Sequence, residues 1–176
     1  MPLLSAIARK RKLDYFCTHI PQNARILEIG CGDGWVGCWL KSNGYPNYVG
    51  MDLIDSESAD IAGDIRDWRR LGIAPSSFDV IIAFEVIEHV ACVQDCYDIL
   101  RPGGLLMLTS PLPSMDWLCR ILEILHLNQR RTSPHSNLTD FANLPLFEPL
   151  ALAIPLHMVQ WGVFSKPVKV QFKQEA

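Results

Sequence analysis

The sequence lacks the long apolar run that a membrane-spanning helix needs. No apolar stretch in its 176 residues approaches the roughly 20 residues that cross a bilayer. The opening stretch "MPLLSAIA" is too short for the core of a signal peptide, and its charges follow the apolar residues instead of preceding them. We therefore expect a cytoplasmic protein with no membrane span.

An excess of positive charge is also absent. The chain has 16 Lys and Arg against 19 Asp and Glu, which gives a formal net charge of -3. This balance argues against a broad basic surface for nucleic acid, so we expect no nucleic-acid partner. The one dense basic run, residues 9–12, is typical of the solvated face of a first helix.

The six cysteines form no CxxC pair. Their scatter indicates free thiols in a reducing compartment and not a disulfide framework. The closest pair is Cys92 and Cys96, whose spacing puts both thiols on one face of a helix. That spacing favours packing over metal binding.

Short apolar runs alternate with helical stretches over residues 1–110. The helical stretches are 3–19, 34–42 and 88–104, and the predicted strands are "ARILEIG", "YVGMDL", "ADIAGDI", "FDVIIAFEVI" and "GLLMLTSP". This alternation predicts an α/β protein with a parallel sheet that helices cover on both faces. Residues 150–154 and 159–164 are predicted as two closing strands.

Proline becomes more frequent after residue 111, and the pattern of alternating strands and helices ends. We expect one domain over residues 1–176, with 111–160 as a cap that also completes the sheet. Within it, 114–127 is predicted as a helix that is apolar on most of its circumference, and 130–141 is a polar loop.

Four glycines lie within "ILEIGCGDGWVG", residues 26–37, directly after the first strand. The spacing formally fits GxGxxG, which alone is a weak sign of dinucleotide binding. Two acids add to it: Glu28, two residues before the first glycine, and Asp52, at the tip of the second strand. A carboxylate at the position of Asp52 can accept both hydroxyls of a ribose. Glu28 can anchor an ammonium group and would repel a pyrophosphate.

Five segments in this order resemble those of the class I S-adenosylmethionine (SAM)-dependent methyltransferases. They are "LEIGCGDG" (27–34), "VGMDL" (49–53), "AGDIRDW" (62–68), "FDVIIAFEVIEHV" (78–90) and "LRPGGLLMLTSP" (100–111), about half of the chain. The chain is similar to the small-molecule group that includes ubiquinone-pathway O-methyltransferases. The resemblance implies a Rossmann-like, mostly parallel sheet with an antiparallel terminal hairpin, and SAM as the cofactor.

The resemblance also implies a role for each motif residue toward SAM. The glycines would line the methionine and ribose, Cys31 would contribute its backbone, Asp52 would hold the ribose, and Leu53 would flank the adenine. Asp64 and Ile65 would meet the adenine; the less favoured alternative for Asp64 is a turn or helix-cap residue. The implied cofactor-binding set is Glu28, Gly30, Cys31, Gly32, Gly34, Asp52, Leu53, Asp64, Ile65 and Glu85.

The segment "EVIEHV" brings Glu85, Glu88 and His89 together. If a helix begins here, the two glutamates share one face, and the three side chains could hold a divalent cation. The alternative, which we favour, has no metal: Glu88 braces the helix and His89 lies near the transferred methyl group. His89 and Glu88 are the candidate catalytic residues, with His89 as a base because of its near-neutral pKa. A buried, satisfied His89 stays equally open, since in-line methyl transfer depends largely on alignment.

The acceptor is expected to contact the cap. An apolar wall is predicted from Trp117, Leu118, Ile121, Leu122 and Leu125, although these side chains could equally form core, a membrane-facing patch or a homodimer contact through helix 114–127. The polar loop 130–141 carries His135, Asn137 and Asp140 for recognition. The chain has neither the Asn/Asp-Pro-Pro-Tyr/Phe stretch of amino-group methylation nor a Pro-Cys nucleophile. Elimination therefore favours a small-molecule or glycan hydroxyl.

Three functional hypotheses follow. The first is an enzyme that transfers a methyl group from SAM to a small-molecule acceptor, at oxygen. The second is a SAM-binding protein of the same fold that has no turnover and serves a partner. The third, an NAD-linked oxidoreductase, is disfavoured because a hairpin-like end follows the fifth strand where a substrate domain would be expected.

Overall fold

The structure, a computed structural model, describes residues 3–115 and 139–168 and is built on one seven-stranded sheet. The strands are β1 Ile26–Ile29, β2 Tyr48–Asp52, β3 Ile61–Ala62, β4 Phe78–Phe84, β5 Leu100–Pro111, β6 Glu148–Ala153 and β7 Val159–Ser165. The helices are α1 Leu3–Lys12, which continues as a π-helical turn Leu13–Cys17, α2 Trp35–Ser42 and α3 Val93–Ile99.

The strand order across the sheet is β3-β2-β1-β4-β5-β7-β6. Strands β1 to β5 pair in parallel, whereas β7 runs antiparallel to both β5 and β6. The predicted parallel sheet with an antiparallel terminal hairpin is therefore confirmed. The order reverses at β1, and its carboxyl end lies beside those of β2 and β4, where ligands bind in open α/β sheets.

Both faces of the sheet are buried, as the apolar strands predict. Alternate residues of β1 enter two different cores: Ile26 packs with the N-terminal segment and α2, and Leu27 packs with Trp68 and Phe164 on the other face. Cys92 and Cys96 are fully buried in this second core.

The sequence predicts a helix over 88–104, and its predicted start at Glu88 was wrong. Strand β4 ends at Phe84, Glu85 adopts a left-handed φ of 57°, and the chain makes a tight turn in which the His89 N–H donates to the Val86 carbonyl. Glu85 therefore cannot be part of a right-handed helix, and α3 begins only at Val93, after Cys92 with its non-helical φ of -123° and ψ of 12°. The helical i,i+3 face inferred for Glu85 and Glu88 does not exist.

The far end of that helix also differs from the prediction. The helix stops at Ile99 because Leu100 is extended, with ψ of 140°, and pairs with Phe78 as the first residue of β5. The "RPGG" stretch is therefore part of a strand and does not close the helix.

Several predictions about the cap lie outside the described residues: helix 114–127 and its dimer contact, the apolar wall, His135 and Asn137. Asp140 is described, and its carboxylate accepts the Ala142 N–H as the cap of a short turn. The last part of the 111–160 range belongs to β6 and β7. Within residues 3–115 and 139–168, no helix has both the length and the apolar character to cross a membrane.

Candidate functional site

The loop after β1 is held by its own backbone N–H groups. Those of Gly30 and Cys31 both donate to the Met51 carbonyl, at 2.8 and 3.1 Å. The Gly32 N–H donates to Oδ2 of Asp52 at 2.8 Å. A pyrophosphate would need such donors for itself, and a carboxylate already takes one of them. The loop is therefore poorly suited to NAD.

Two of the loop glycines are required for different reasons. Gly30 has φ of 74°, and a Cβ there would lie 2.6 Å from Cγ2 of Val86, so protein packing demands this glycine. Gly32 has φ of 53°, yet the nearest atom to its added Cβ would be the Gly30 carbonyl oxygen at 4.0 Å. Open space therefore lies beside Gly32, and it is there that a ligand can approach the backbone. Gly34 directly precedes α2.

Asp52 ends β2 with its carboxylate fixed on both oxygens. Oδ2 accepts the Gly32 N–H and Oδ1 accepts the Ile54 N–H at 3.2 Å. A carboxylate has about four acceptor positions, so about two remain for a vicinal diol. The side chains of Leu53 and Ile54, next along the chain, are 72% and 73% exposed. A ribose on Asp52 with an adenine on this apolar surface fits the residues present.

Glu28 lies on β1 and is buried. The Tyr48 hydroxyl donates to Oε2 of Glu28. Burial raises the pKa of Glu28 to about 8; the Tyr48 hydrogen bond lowers it, while Asp33 and Asp52 raise it. The predicted contact with the ammonium group of SAM stays a prediction, since nothing in the structure tests it.

Asp64 caps the short 3-10 turn Ile65–Asp67. Its Oδ1 accepts the Arg66 N–H at 2.9 Å, and the Arg66 guanidinium pairs with Oδ2 at 2.5 Å. The hydrogen bonds from Arg66 hold the pKa of Asp64 below its usual value despite partial burial. The Ile65 side chain is buried in the core. The cap role is therefore present. The predicted adenine contacts of Asp64 and Ile65 stay predictions, and for Ile65 only the backbone is left to make one.

Glu85 follows β4 and is tied to α1. Its Oε1 accepts from Lys12 Nζ at 2.7 Å and from Thr109 Oγ1 at 2.9 Å. Burial acts to raise the pKa of Glu85, but the Lys12 ammonium and these hydrogen bonds hold it below its usual value.

The sequence reading missed the role of two cations in α1. Arg9 pairs with Asp33 of the glycine loop at 2.8 Å, and its guanidinium lies 5.2 Å from the ring centroid of Trp35. Arg9 and Lys12 lie on the same face of α1, and this face contacts the glycine loop and the end of β4. The prediction that residues 9–12 form a solvated face of the helix was therefore wrong for Arg9 and Lys12. In the sequence, only their i,i+3 spacing could have indicated that they share one inward face.

Glu88 is fully buried in the turn after β4. Neither of its carboxylate oxygens has a hydrogen-bond partner among the residues that the structure describes, and the same holds for the buried Ser110 hydroxyl. Burial and then the Glu85 carboxylate raise the pKa of Glu88 to about 8. Over the described ranges, no three His, Cys, Asp or Glu side chains form a group that could hold a metal ion.

Comparison with known proteins decides the family. A family model for a methyltransferase domain matches residues 5–144. The chain belongs to this methyltransferase family. The methyltransferase is 29% identical over 171 residues to the ubiquinone biosynthesis O-methyltransferase of Rhizobium etli, which covers 86% of this chain and 68% of that one.

Other relatives match over shorter stretches. The ubiquinone biosynthesis O-methyltransferase of Xanthomonas campestris is 29% identical over 115 residues, 56% of this chain and 48% of its own. A Mycolicibacterium smegmatis relative is 32% identical over 97 residues, 49% of this chain and 37% of its own. The methyltransferase thus spans about half or less of the length of these two relatives.

Solved structures agree on the fold. A protein from Pyrococcus horikoshii superposes with a TM-score of 0.65 at 16% identity, over 92% of this chain and 91% of its own. The CurJ carbon methyltransferase superposes with a TM-score of 0.63 at 20% identity, over 92% and 54%. These structures confirm the predicted fold. The family model and the curated relatives confirm the predicted class I SAM-dependent methyltransferase and its SAM cofactor.

Proposed function

We propose that this methyltransferase transfers the methyl group of SAM to an oxygen atom of a small-molecule acceptor. The observation that carries the cofactor part is the Asp52 carboxylate. The Gly32 N–H holds it beside open space at the carboxyl end of the sheet, with two acceptor positions left for a ribose diol. When bound, SAM supplies a methyl group activated by its sulfonium.

Each motif residue has a role in this proposal. Gly30, Gly32 and Gly34, with the Cys31 backbone, form the floor of the site, and Asp52 and Leu53 hold the ribose and adenine. Asp64 and the Ile65 backbone border the adenine from the next loop. Glu28 and Glu85 face the methionine end, where their carboxyl groups suit an ammonium group. The His89 imidazole is a candidate base for the acceptor.

Oxygen is the acceptor atom that the relatives favour. The R. etli and X. campestris proteins are both named O-methyltransferases. The CurJ protein, with the same fold, is a carbon methyltransferase, so the fold itself does not fix the atom. In this proposal, the residues between β5 and β6, within the proposed cap 111–160, recognise the acceptor. A cytoplasmic location and a homodimer through 114–127 belong to the same proposal.

The test supplies SAM with a deuterated methyl group together with a metabolite extract. Mass spectrometry then identifies any compound that gains this label on oxygen. The wild type and Asp55→Asn, an exposed aspartate three residues further on, should label the same compound, and Asp52→Asn should label it at most one-tenth as fast. SAM binding with no labelled product would instead favour a binding module without turnover.

A further inference from the structure

Strand β6 forms one edge of the sheet and is exposed over nearly all of its length. It pairs with β7 on one side, and among the strands of the described residues none pairs with its other side. An edge strand turns a row of N–H and C=O groups away from its sheet, where another strand can pair with them. The outer side of β6 is therefore a surface to which a further strand can be added.

The exposed side chains of this edge are apolar. Four large ones on β6 and directly after it are exposed by 46 to 78%, namely Leu150, Leu152, Ile154 and Leu156. Residues 141–165 contain no Lys, Arg or Asp, and Glu148 is their one acidic residue. Natural proteins usually protect an edge strand with charged side chains, and a cluster of exposed apolar side chains commonly marks an interaction site. This edge therefore suits an apolar strand as its partner.

The sequence of the edge is close to a palindrome. Residues 149–155 read PLALAIP, so that alanine, then leucine or isoleucine, then proline follow in both directions from the central Leu152. Two copies of this segment, paired antiparallel about Leu152, set like against like: Leu152 faces itself, Ala151 faces Ala153, and Leu150 faces Ile154. Side chains directly opposite each other in such a pair are in contact. The strand that matches this edge is thus a second copy of it.

Two prolines favour this register over others. Proline has no N–H to donate to a ladder and is tolerated at the ends of strands. About Leu152, Pro149 faces Pro155 at each end of the pairing, so that no donor is sought from either. A shift by one residue would set alanine against leucine or isoleucine and lose the match. The bulge of β6 against β7, between Pro149 and Ala151, lies at one end of the same segment.

The charges of the chain fit the same arrangement. A formal net charge of -3 makes two copies repel each other over most of their surfaces. At the β6 edge the register places Glu148 opposite Leu156 of the second copy, so the two glutamates do not face each other. Self-association at this edge therefore meets little repulsion.

We propose that two copies of this methyltransferase associate through β6, paired antiparallel about Leu152, and so join their sheets into one. This contact concerns assembly and does not depend on the proposed function. It lies at a different surface from the contact proposed through 114–127. A two-fold axis uses the β6 edge of both copies at once, so the assembly closes at a dimer.

Sedimentation velocity of the full chain over the micromolar range tests the proposal. The variants are Leu152→Lys and Leu152→Glu, because each sets two like charges opposite each other at the two-fold axis. Ile7→Lys, in α1, is the matched control, since Ile7 is 45% exposed and Leu152 is 46% exposed. Circular dichroism melting curves establish that all three variants fold.

We expect the wild type and Ile7→Lys to sediment as dimers of the 19.8 kDa chain, with no larger species. Leu152→Lys and Leu152→Glu, each alone, should raise the dimer dissociation constant about a hundredfold or more. An equimolar mixture of the two should restore the dimer, because lysine then faces glutamate across the axis. Such a rescue is specific to a residue that faces its own copy.

Three results would overturn the inference. A monomeric wild type would leave the edge to a strand of another protein. A dimer that Leu152→Lys leaves intact would place the contact at another surface, such as 114–127. A mixture of the two charged variants that stays monomeric would exclude pairing about Leu152. None of these results bears on SAM binding, which is measured separately.

Discussion

At the scale of single residues, the glycine loop needs Gly30 and Gly32 for different reasons: Gly30 for packing against Val86, and Gly32 for the approach of a ligand. Gly30→Ala would place a methyl group against Val86 at a left-handed φ, so we expect a loss of about 2 to 4 kcal/mol in the free energy of unfolding. Gly32→Ala meets open space and should cost about 1 to 2 kcal/mol, from backbone strain alone. Urea unfolding measures both.

The variants Gly30→Ala and Gly32→Ala also distinguish a loss of packing from a loss of ligand binding. Calorimetric titration should show that Gly32→Ala, although the milder change for stability, weakens SAM binding, because its methyl group enters the space that the ligand occupies. Equal stability losses in the two variants, or unchanged SAM affinity in Gly32→Ala, would contradict this assignment.

A second prediction at this scale concerns the buried carboxyl group of Glu88. Glu88→Met should raise the free energy of unfolding by about 1 to 3 kcal/mol, because it removes an orphaned polar group and keeps the volume filled. Near the melting midpoint this corresponds to a rise of about 2 to 4 °C per kcal/mol, measurable by calorimetry.

Glu28→Met is the matched control for that gain. Glu28 is equally buried, but its carboxyl accepts the Tyr48 hydroxyl, which the substitution would leave unpaired. It should therefore give no gain in stability. If Glu88→Met destabilises the protein as much as Glu28→Met, Glu88 has a structural partner and is no orphan.

Residues whose role depends on nearby sequence could be predicted, whereas residues whose role depends on contacts between distant parts of the chain could not. Asp52 and the glycines could be placed because a strand end and a tight turn are short-range features. Lys12 could not, since it meets Glu85 across 73 residues.

At the scale of elements, the turn that holds Glu85 and Glu88 replaces an expected helix start. The Glu85 N–H donates to the Thr109 carbonyl, which extends the pairing of β4 with β5 by one bond. Glutamate and histidine are both compatible with a helix, so the local sequence predicts a helix start here. The hydrogen bond to β5 gives a turn instead, because tertiary contacts often override local helix propensity.

Helix α1 is tied to the site by an ion pair that depends on pH. The pKa of Glu85 is lowered in the folded protein, so its pairing with Lys12 stabilises α1 above the unfolded-state pKa. That contribution is lost as the pH falls through the folded-state value. Amide protection factors in α1, measured by hydrogen exchange, should therefore drop in acid for the wild type.

Lys12→Met should lower these protection factors at neutral pH and flatten their dependence on pH. The expected loss is up to about 1 kcal/mol, because both side chains keep some exposure to solvent. Lys10→Met, an exposed lysine of the same helix, is the control and should leave them unchanged. An unaltered profile in Lys12→Met would show that packing alone holds α1.

At the scale of the whole molecule, the sheet could be predicted from the sequence, whereas the cap stays a prediction. Apolar strands alternating with helices fix a parallel sheet, and its β3-β2-β1-β4-β5-β7-β6 order brings the ends of β1, β2 and β4 to one edge. The segment between β5 and β6 has no periodicity tied to that sheet. Its proposed contacts to the acceptor therefore rest on composition.

The central claim is that the glycine loop and Asp52 bind SAM and not a dinucleotide. Isothermal titration of the wild type with SAM and with NAD tests it most directly, with Asp52→Asn as the variant and Asp55→Asn as the control. We predict saturable binding of SAM alone, weakened about tenfold or more in Asp52→Asn and unchanged in Asp55→Asn. Binding of NAD, or SAM affinity that survives Asp52→Asn unaltered, would contradict the account.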